Sequence, residues 1–208
     1  RRFCLKAGFR YEFFDYNSFL FTNEDFKIDV RPEGLISYYA SFRYSSFDRK
    51  YFPRRGLKFN MDYKLYTDNF VGYDGGAPFS TVSFDVEPVI SLGSRFKLLP
   101  AFYGRVLIGH QPSYAVYNVV GGIYPGKHIE HQLPFWGINR MEVIEHAFLA
   151  GRLQFRQRMG SRHFLSFVGN VAFRENNLGD VFREKPLWGG GVSYSRNSRI
   201  GPVDWVLS

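Results

Sequence analysis

The chain has 208 residues, a formal net charge of +8, 22% charged and 19% aromatic residues, and 23 phenylalanines. No apolar run approaches the roughly 18 residues of a spanning helix, the lone Cys4 excludes an internal disulfide, and no polybasic run or nucleic-acid motif supports a nucleic-acid partner.

A period of two governs the chain from its start, as a strand with unlike faces requires. In RFCLKAGFRYEFF the odd positions from Phe3 to Phe13 are apolar, opposite Lys6, Arg10 and Glu12. In LISYYASFRYSS the even positions Ile36, Tyr38, Ala40, Phe42 and Tyr44 oppose Ser37, Ser41 and Arg43. In residues 51–69, Leu57, Phe59, Met61, Tyr63 and Leu65 oppose Lys58, Asn60, Asp62 and Lys64. STVSFDVEPVI sets Val82, Phe84, Val86 and Ile90 against Ser83, Asp85 and Glu87. FKLLPAFYGRVLIG is apolar on both faces except at Lys97 and Arg105. FLAGRLQFRQRM, HFLSFVGNVAF, WGGGVSYSR and GPVDWVLS bring the expected strands to nine.

The alternation lasts about nine residues or more, the length of a tilted transmembrane strand rather than the usual five or six of a soluble sheet. Mean hydropathy is only −0.25, as expected when water-facing lumen positions alternate with lipid-facing ones. The fold class expected is therefore all-β, an antiparallel transmembrane β-barrel, since a closed barrel leaves no strand edge unpaired in lipid. A soluble aromatic-rich barrel is the alternative, and periodicity alone does not separate the two. Tyr11, Tyr38, Tyr66, Tyr103 and Tyr194 lie near strand ends, where interfacial girdles form. Connections at about 15–34, 110–146 and 174–187 are long, and 70–78 is intermediate; those at 47–56, 93–95, 160–162 and 197–201 are mostly short. Long loops are expected outside the cell and short turns in the periplasm. The chain opens and closes within alternating stretches, so further strands are expected on both sides.

Asp48-Arg-Lys-Tyr-Phe-Pro53-Arg-Arg-Gly56, followed by an alternating strand, resembles the D…P-x-x-G turn of the bacterial surface antigen family. That superfamily includes barrel-assembly factors and two-partner secretion transporters. Gly190-Gly191-Val192-Ser-Tyr194 running into Ile200-Gly201-Pro202-Val203 is similar to its penultimate strand pair, and Gly121-Gly122 opens something like its long lumen-folding loop. LPAFYGRVLIG, GGIYPGKHIEHQLPFWGIN and WGGGVSYSRNSRIGPV resemble the C-terminal barrels of patatin-like phospholipases from Bacteroidetes. The resemblance implies a barrel of about sixteen strands, an even number as bacterial barrels have, with residues 1–208 supplying roughly the seventh to the fifteenth. It also implies a long extracellular loop at about 110–146 that folds into the lumen. The family's loop carries an Arg-Gly-aromatic tip that pairs with an acidic strand residue; this chain has Leu133-Pro134-Phe135-Trp136-Gly137-Ile138-Asn139-Arg140 instead. Trp136 and Arg140 are candidates for the tip by neighbourhood only.

Three functions follow, none with a catalytic residue in 1–208. The barrel anchors, and has a lumen to translocate, an upstream patatin-like lipid hydrolase; or it is an assembly or secretion pore without an enzyme domain; or it is a passive porin-like channel. Asp74-Gly75-Gly76 matches the D-G-G of patatin-type hydrolases, but the nucleophile motif G-x-S-x-G is absent and a loop turn explains it more simply. His128, Glu130, His131, Glu145 and His146 carry donors for a divalent metal, but their spacing fits no standard zinc site. No cofactor is expected. Arg152, Arg156 and Arg158 share one strand face: either a basic lumen stripe that favours anions or grips an acidic plug or loop, or a wall paired with Asp62, Asp85 or Glu87. Cys4 is expected on the lumen side and His163 at an interface. Expected partners are outer-membrane lipid, an upstream periplasmic or passenger domain of the same chain, and a second copy of the barrel.

Overall fold

The computed structural model describes residues 3–15, 32–109, 112–125, 131–139, 142–175, 183 and 185–208. Nine long strands among them form one antiparallel sheet. In chain order these are β1 (Phe3–Phe14), β2 (Glu33–Ser45), β3 (Gly56–Thr67), β4 (Phe79–Ser91) and β5 (Phe96–Ile108), then β9 (Ala147–Arg158), β10 (His163–Glu175), β11 (Leu187–Ser198) and β12 (Gly201–Leu207). Each pairs with its neighbour in chain order, except that β5 pairs with β9 across an insertion holding β6 (Asn118–Val120), β7 (Gln132–Leu133) and β8 (Val143–Glu145). The sheet is open within these residues, with β1 and β12 at its edges. All nine stretches of alternating sequence are strands. Eight are 12 or 13 residues long, long enough for a tilted crossing of about 9–11.

Register confirms one outward and one inward face. Phe59 lies beside Tyr44 and Val86, while Asn60 lies beside Arg43 and Asp85. The outward side chains are large, apolar and open: Phe9 is 74% exposed, Phe102 60% and Leu153 52%. Cys4 is exposed and pairs in register with Arg43, on the inward parity.

Two aromatics depart from the girdle expectation. Tyr66 and Tyr103 lie on the inward register and are buried, at 3% and 6% exposure. Nearness to a strand end suggested an interfacial place, but the period of two puts them inside. Tyr11, Tyr38 and Tyr194 are on the outward face and exposed.

The connections after β4, β9 and β11 are tight, and that after β2, residues 46–55, lies at the same end. Its geometry follows from two residues. The Asp48 carboxylate accepts from the N–H groups of Arg54 (2.8 Å) and Arg55 (3.3 Å). Gly56 takes φ +118 where a Cβ would stand 2.5 Å from the Ser46 carbonyl oxygen, so only glycine fits. At the opposite end the Asp74-Gly75 pair closes a two-residue turn with φ of 47 and 71 at its centre, as a primed turn requires. Tyr73 and Gly76 exchange both backbone hydrogen bonds across it, which accounts for the D-G-G without chemistry.

Candidate functional site in the lumen

The inward face is charged in its middle and apolar toward the long connections. Lys58 Nζ lies 3.0 Å from Asp85 Oδ2 and 2.7 Å from Glu87 Oε1, and Asn60 Nδ2 donates to Asp85 Oδ1 at 2.7 Å. Arg152 Nη2 reaches Glu87 Oε2 at 3.3 Å. Arg152 stands on β9 and Glu87 on β4, with β5 between them; the β5 residue beside Arg152 is Ala101, small enough to let the guanidinium pass. Each of these half-exposed pairs contributes about 0.2–1 kcal/mol; together they set a polar belt.

Above the belt, the connection between β5 and β9 folds back against the sheet. Phe135 is fully buried among Ala101, Tyr103, Phe148, Ala150 and Ala172, edge-on to Phe148 at 6.3 Å. Tyr103 donates its hydroxyl to the Pro134 carbonyl at 2.6 Å, and Asn170 Nδ2 donates to that of Trp136 at 3.2 Å. This explains why FKLLPAFYGRVLIG is apolar on both faces: its inner half lies under the insertion. The tip rests on β11, where a Cβ at Gly189 would stand 1.9 Å from the Trp136 carbonyl oxygen and one at Gly191 would stand 2.8 Å from the Trp136 ring. Those glycines remove the side chains that the tip displaces. Trp136 is thus in the lumen, 8% exposed, whereas Arg140 lies outside the described residues.

A second group holds the root of the insertion. Arg105 Nη1 donates to the Val116 carbonyl at 2.6 Å and to Asn118 Oδ1 at 2.7 Å. Asn118, wholly buried, donates back to the carbonyls of Arg105 (2.9 Å) and His146 (2.8 Å). Val116 packs with Leu35, Tyr66, Phe79 and Leu107. Nearby, Ser113 and Tyr73 both donate to the Glu33 carboxylate. Burial, and then the Glu33 charge, push the Tyr73 phenol up to about 12, so it remains a donor through neutral pH. Removing a buried partner strands the groups it served, at about 1–3 kcal/mol. Asn118→Ala is therefore expected to speed amide exchange of residues 118–120 about ten- to a hundredfold, read by hydrogen–deuterium exchange.

At the short-turn end a different set of contacts lies on the inner face. Arg156, buried on β9, donates to the Pro53 carbonyl of the 46–55 connection and lies 5.7 and 5.8 Å from the rings of Phe52 and Phe164. Phe52 and Phe164 themselves stack at 4.1 Å. Arg158 lies at the foot of the same strand, where its backbone N–H donates to Arg95. Of the three arginines on this face, one pairs with a carboxylate, one seats a turn and one borders the mouth. Arg156→Gln is expected to unseat that turn. A charge-assisted bond is worth about 1.5–3 kcal/mol, so trypsin should cut at Arg49–Arg55 roughly ten times faster or more in the solubilised barrel.

Sequence reasoning missed Arg105, Asn118, Phe52 and the role of the glycines. Two signals were present: one arginine in an otherwise apolar strand, and Gly189-Gly190-Gly191 in a strand otherwise rich in large residues. Of the metal-donor group, His128 and Glu130 lie outside the described residues, and Glu145 pairs with Arg174 at 3.6 Å. No group of three or more metal-donor side chains occurs among the described residues.

Compared with known proteins, residues 1–208 match the model of the OMP85 superfamily, so the match spans the chain. No individual curated protein matches it. The family match agrees with the surface-antigen turn at Asp48–Gly56 and with the nine antiparallel strands. The chain belongs to the OMP85 superfamily and is an outer-membrane β-barrel protein.

Proposed function

We propose that this barrel anchors, at the bacterial outer membrane, a patatin-like lipid hydrolase domain carried upstream in the same polypeptide. The observation that carries the reading is the seated loop. Phe135 and Trp136 pack on the inner face beside β11, and at the short-turn end Arg156 holds the 46–55 turn against the same face. A passive channel needs an open wet path, and a loop seated against the inner wall narrows that path. The seated loop also suits gated passage of a chain, since it is held by hydrogen bonds and packing that can be exchanged. The hydrolase itself is supported by the likeness of LPAFYGRVLIG and the Gly121–Asn139 stretch to patatin-linked barrels. In this reading the barrel supplies no chemistry and the nucleophile lies upstream.

The test is the intact mass and peptide map of the native protein from outer-membrane fractions. A chain far heavier than 24.2 kDa, with upstream peptides bearing G-x-S-x-G, is the expected result and leads to an esterase assay. Small periplasmic modules alone upstream would sink the hydrolase and favour assembly or secretion.

A further inference from the structure

Among the described residues the outward register of the nine strands carries two charged side chains, Glu175 at the long-connection end of β10 and Arg196 at the short-turn end of β11. Within the short-turn half of the wall, Arg196 is the only Lys, Arg, Asp or Glu that a described strand residue places on the outward face. It pairs in register with His163 on β10 and Val203 on β12. Directly above it runs an aromatic ladder. His163 Nδ1 and the Tyr194 hydroxyl are 2.6 Å apart, and the Tyr194 and Trp205 rings lie 5.5 Å apart. Tyr194 and Trp205 are both exposed on the outer wall. Below, the turns on either side of Arg196 each contribute an exposed arginine, Arg162 and Arg199.

None of these three guanidiniums has a hydrogen-bond or ion-pair partner among the described residues. The nearest carboxylate on β12, Asp204, is on the inward register and accepts from Tyr124 at 2.7 Å. The outer wall here therefore holds three cations and supplies no anion. An arginine facing lipid costs roughly 2–4 kcal/mol at the midplane but almost nothing at the interface. Tyr and Trp mark that interface, because their rings settle at headgroup depth.

We propose that Arg162, Arg196 and Arg199, hung beneath the Tyr194–Trp205 ladder, bind the phosphates of anionic phospholipid in the periplasmic leaflet. This rests on the outer-membrane placement and on the short turns facing the periplasm, as they do in such barrels. Acyl chains would then lie on Leu165, Phe167 and Val192. An acidic protein surface would also attract these arginines. It would have to displace lipid to reach Arg196, which shares the outward register with Trp205, so the geometry favours lipid.

The test uses the intact chain in vesicles of phosphatidylcholine and phosphatidylglycerol, with one lipid brominated on its acyl chains at a time. Trp136 is buried, so a Trp188→Phe background leaves Trp205 as the lipid-facing fluorophore. Brominated phosphatidylglycerol is expected to quench it well beyond an equal fraction of brominated phosphatidylcholine. The preference should weaken in high salt, and Arg196→Gln with Arg199→Gln should lower it roughly fivefold per arginine. Arg196→Lys should retain it, and heat-modifiable gel mobility checks that each variant is folded. Equal quenching by the two lipids would overturn the site and turn attention to an acidic protein partner. Loss of the preference in inorganic phosphate at constant ionic strength would overturn it in favour of a soluble-phosphate site. Quenching by neither lipid would overturn the bilayer placement itself.

Discussion

Gly189→Leu is expected to convert a barrel with low resting conductance into one that conducts several-fold more in planar bilayers. The Cβ alone would stand 1.9 Å from the Trp136 carbonyl oxygen and 2.8 Å from the Phe135 ring, and because the nearest atom is backbone, a turn of the Phe135 or Asn170 side chain alone does not relieve the clash. Strand β11 is paired with β10 from Leu187 to Arg196 and with β12 from Val192 to Ser198, whereas the loop tip rests on packing and single hydrogen bonds. The loop must therefore move. In moving it exposes Phe135 and Trp136, a loss of about 1.5–3 kcal/mol for each aromatic. Gly169→Ala is the control: it is also a glycine of the central sheet, but a Cβ there meets nothing within 4 Å. It should leave conductance unchanged. If Gly189→Leu fails to assemble, Phe135→Ala with Trp136→Ala removes the packed tip without touching a strand and should raise conductance in the same direction. Wild-type conductance in both would mean that the loop does not narrow the lumen.

The strands were legible because one physical rule determined them. Lipid on one side and water on the other impose a period of two, and that period survives whatever the lumen contains. The rule also carried more than was taken from it. Distance from the strand ends suggests a girdle place for Tyr66 and Tyr103, whereas their parity, opposite to Tyr63 and Phe102, sends them inward. The seated loop was less legible because it depends on contacts between residues far apart in sequence. Arg156 on β9 is one of three similar arginines until Pro53, more than a hundred residues earlier, is brought to it. The glycines of β11 and the loop tip are likewise separated by some fifty positions, and an alternating pattern says nothing about which inward gaps another segment will fill. What the sequence did carry was the anomaly in β5, a strand too apolar on its inner half for a wet lumen.

Met61→Arg should abolish outer-membrane assembly in large part, whereas Asn60→Arg, one residue away, should be tolerated. Met61 lies at the middle of β3 on the outward register, beside Phe42 and Phe84, and is 44% exposed to what surrounds the barrel. At that depth an arginine costs roughly 2–4 kcal/mol, since a twelve-residue strand leaves it furthest from either interface. Asn60 faces inward between Arg43 and Asp85 and already donates to the Asp85 carboxylate. An arginine there exchanges one donor for another beside Asp85 and Asp62, and the lumen belt supplies both water and counter-charge. Heat-modifiable mobility and protease resistance of each variant in outer-membrane fractions measure the difference. Equal loss for the two would show that both faces of β3 are packed, and equal tolerance would show that Met61 never meets hydrocarbon; either result would sink the assignment of faces on which the lumen site depends.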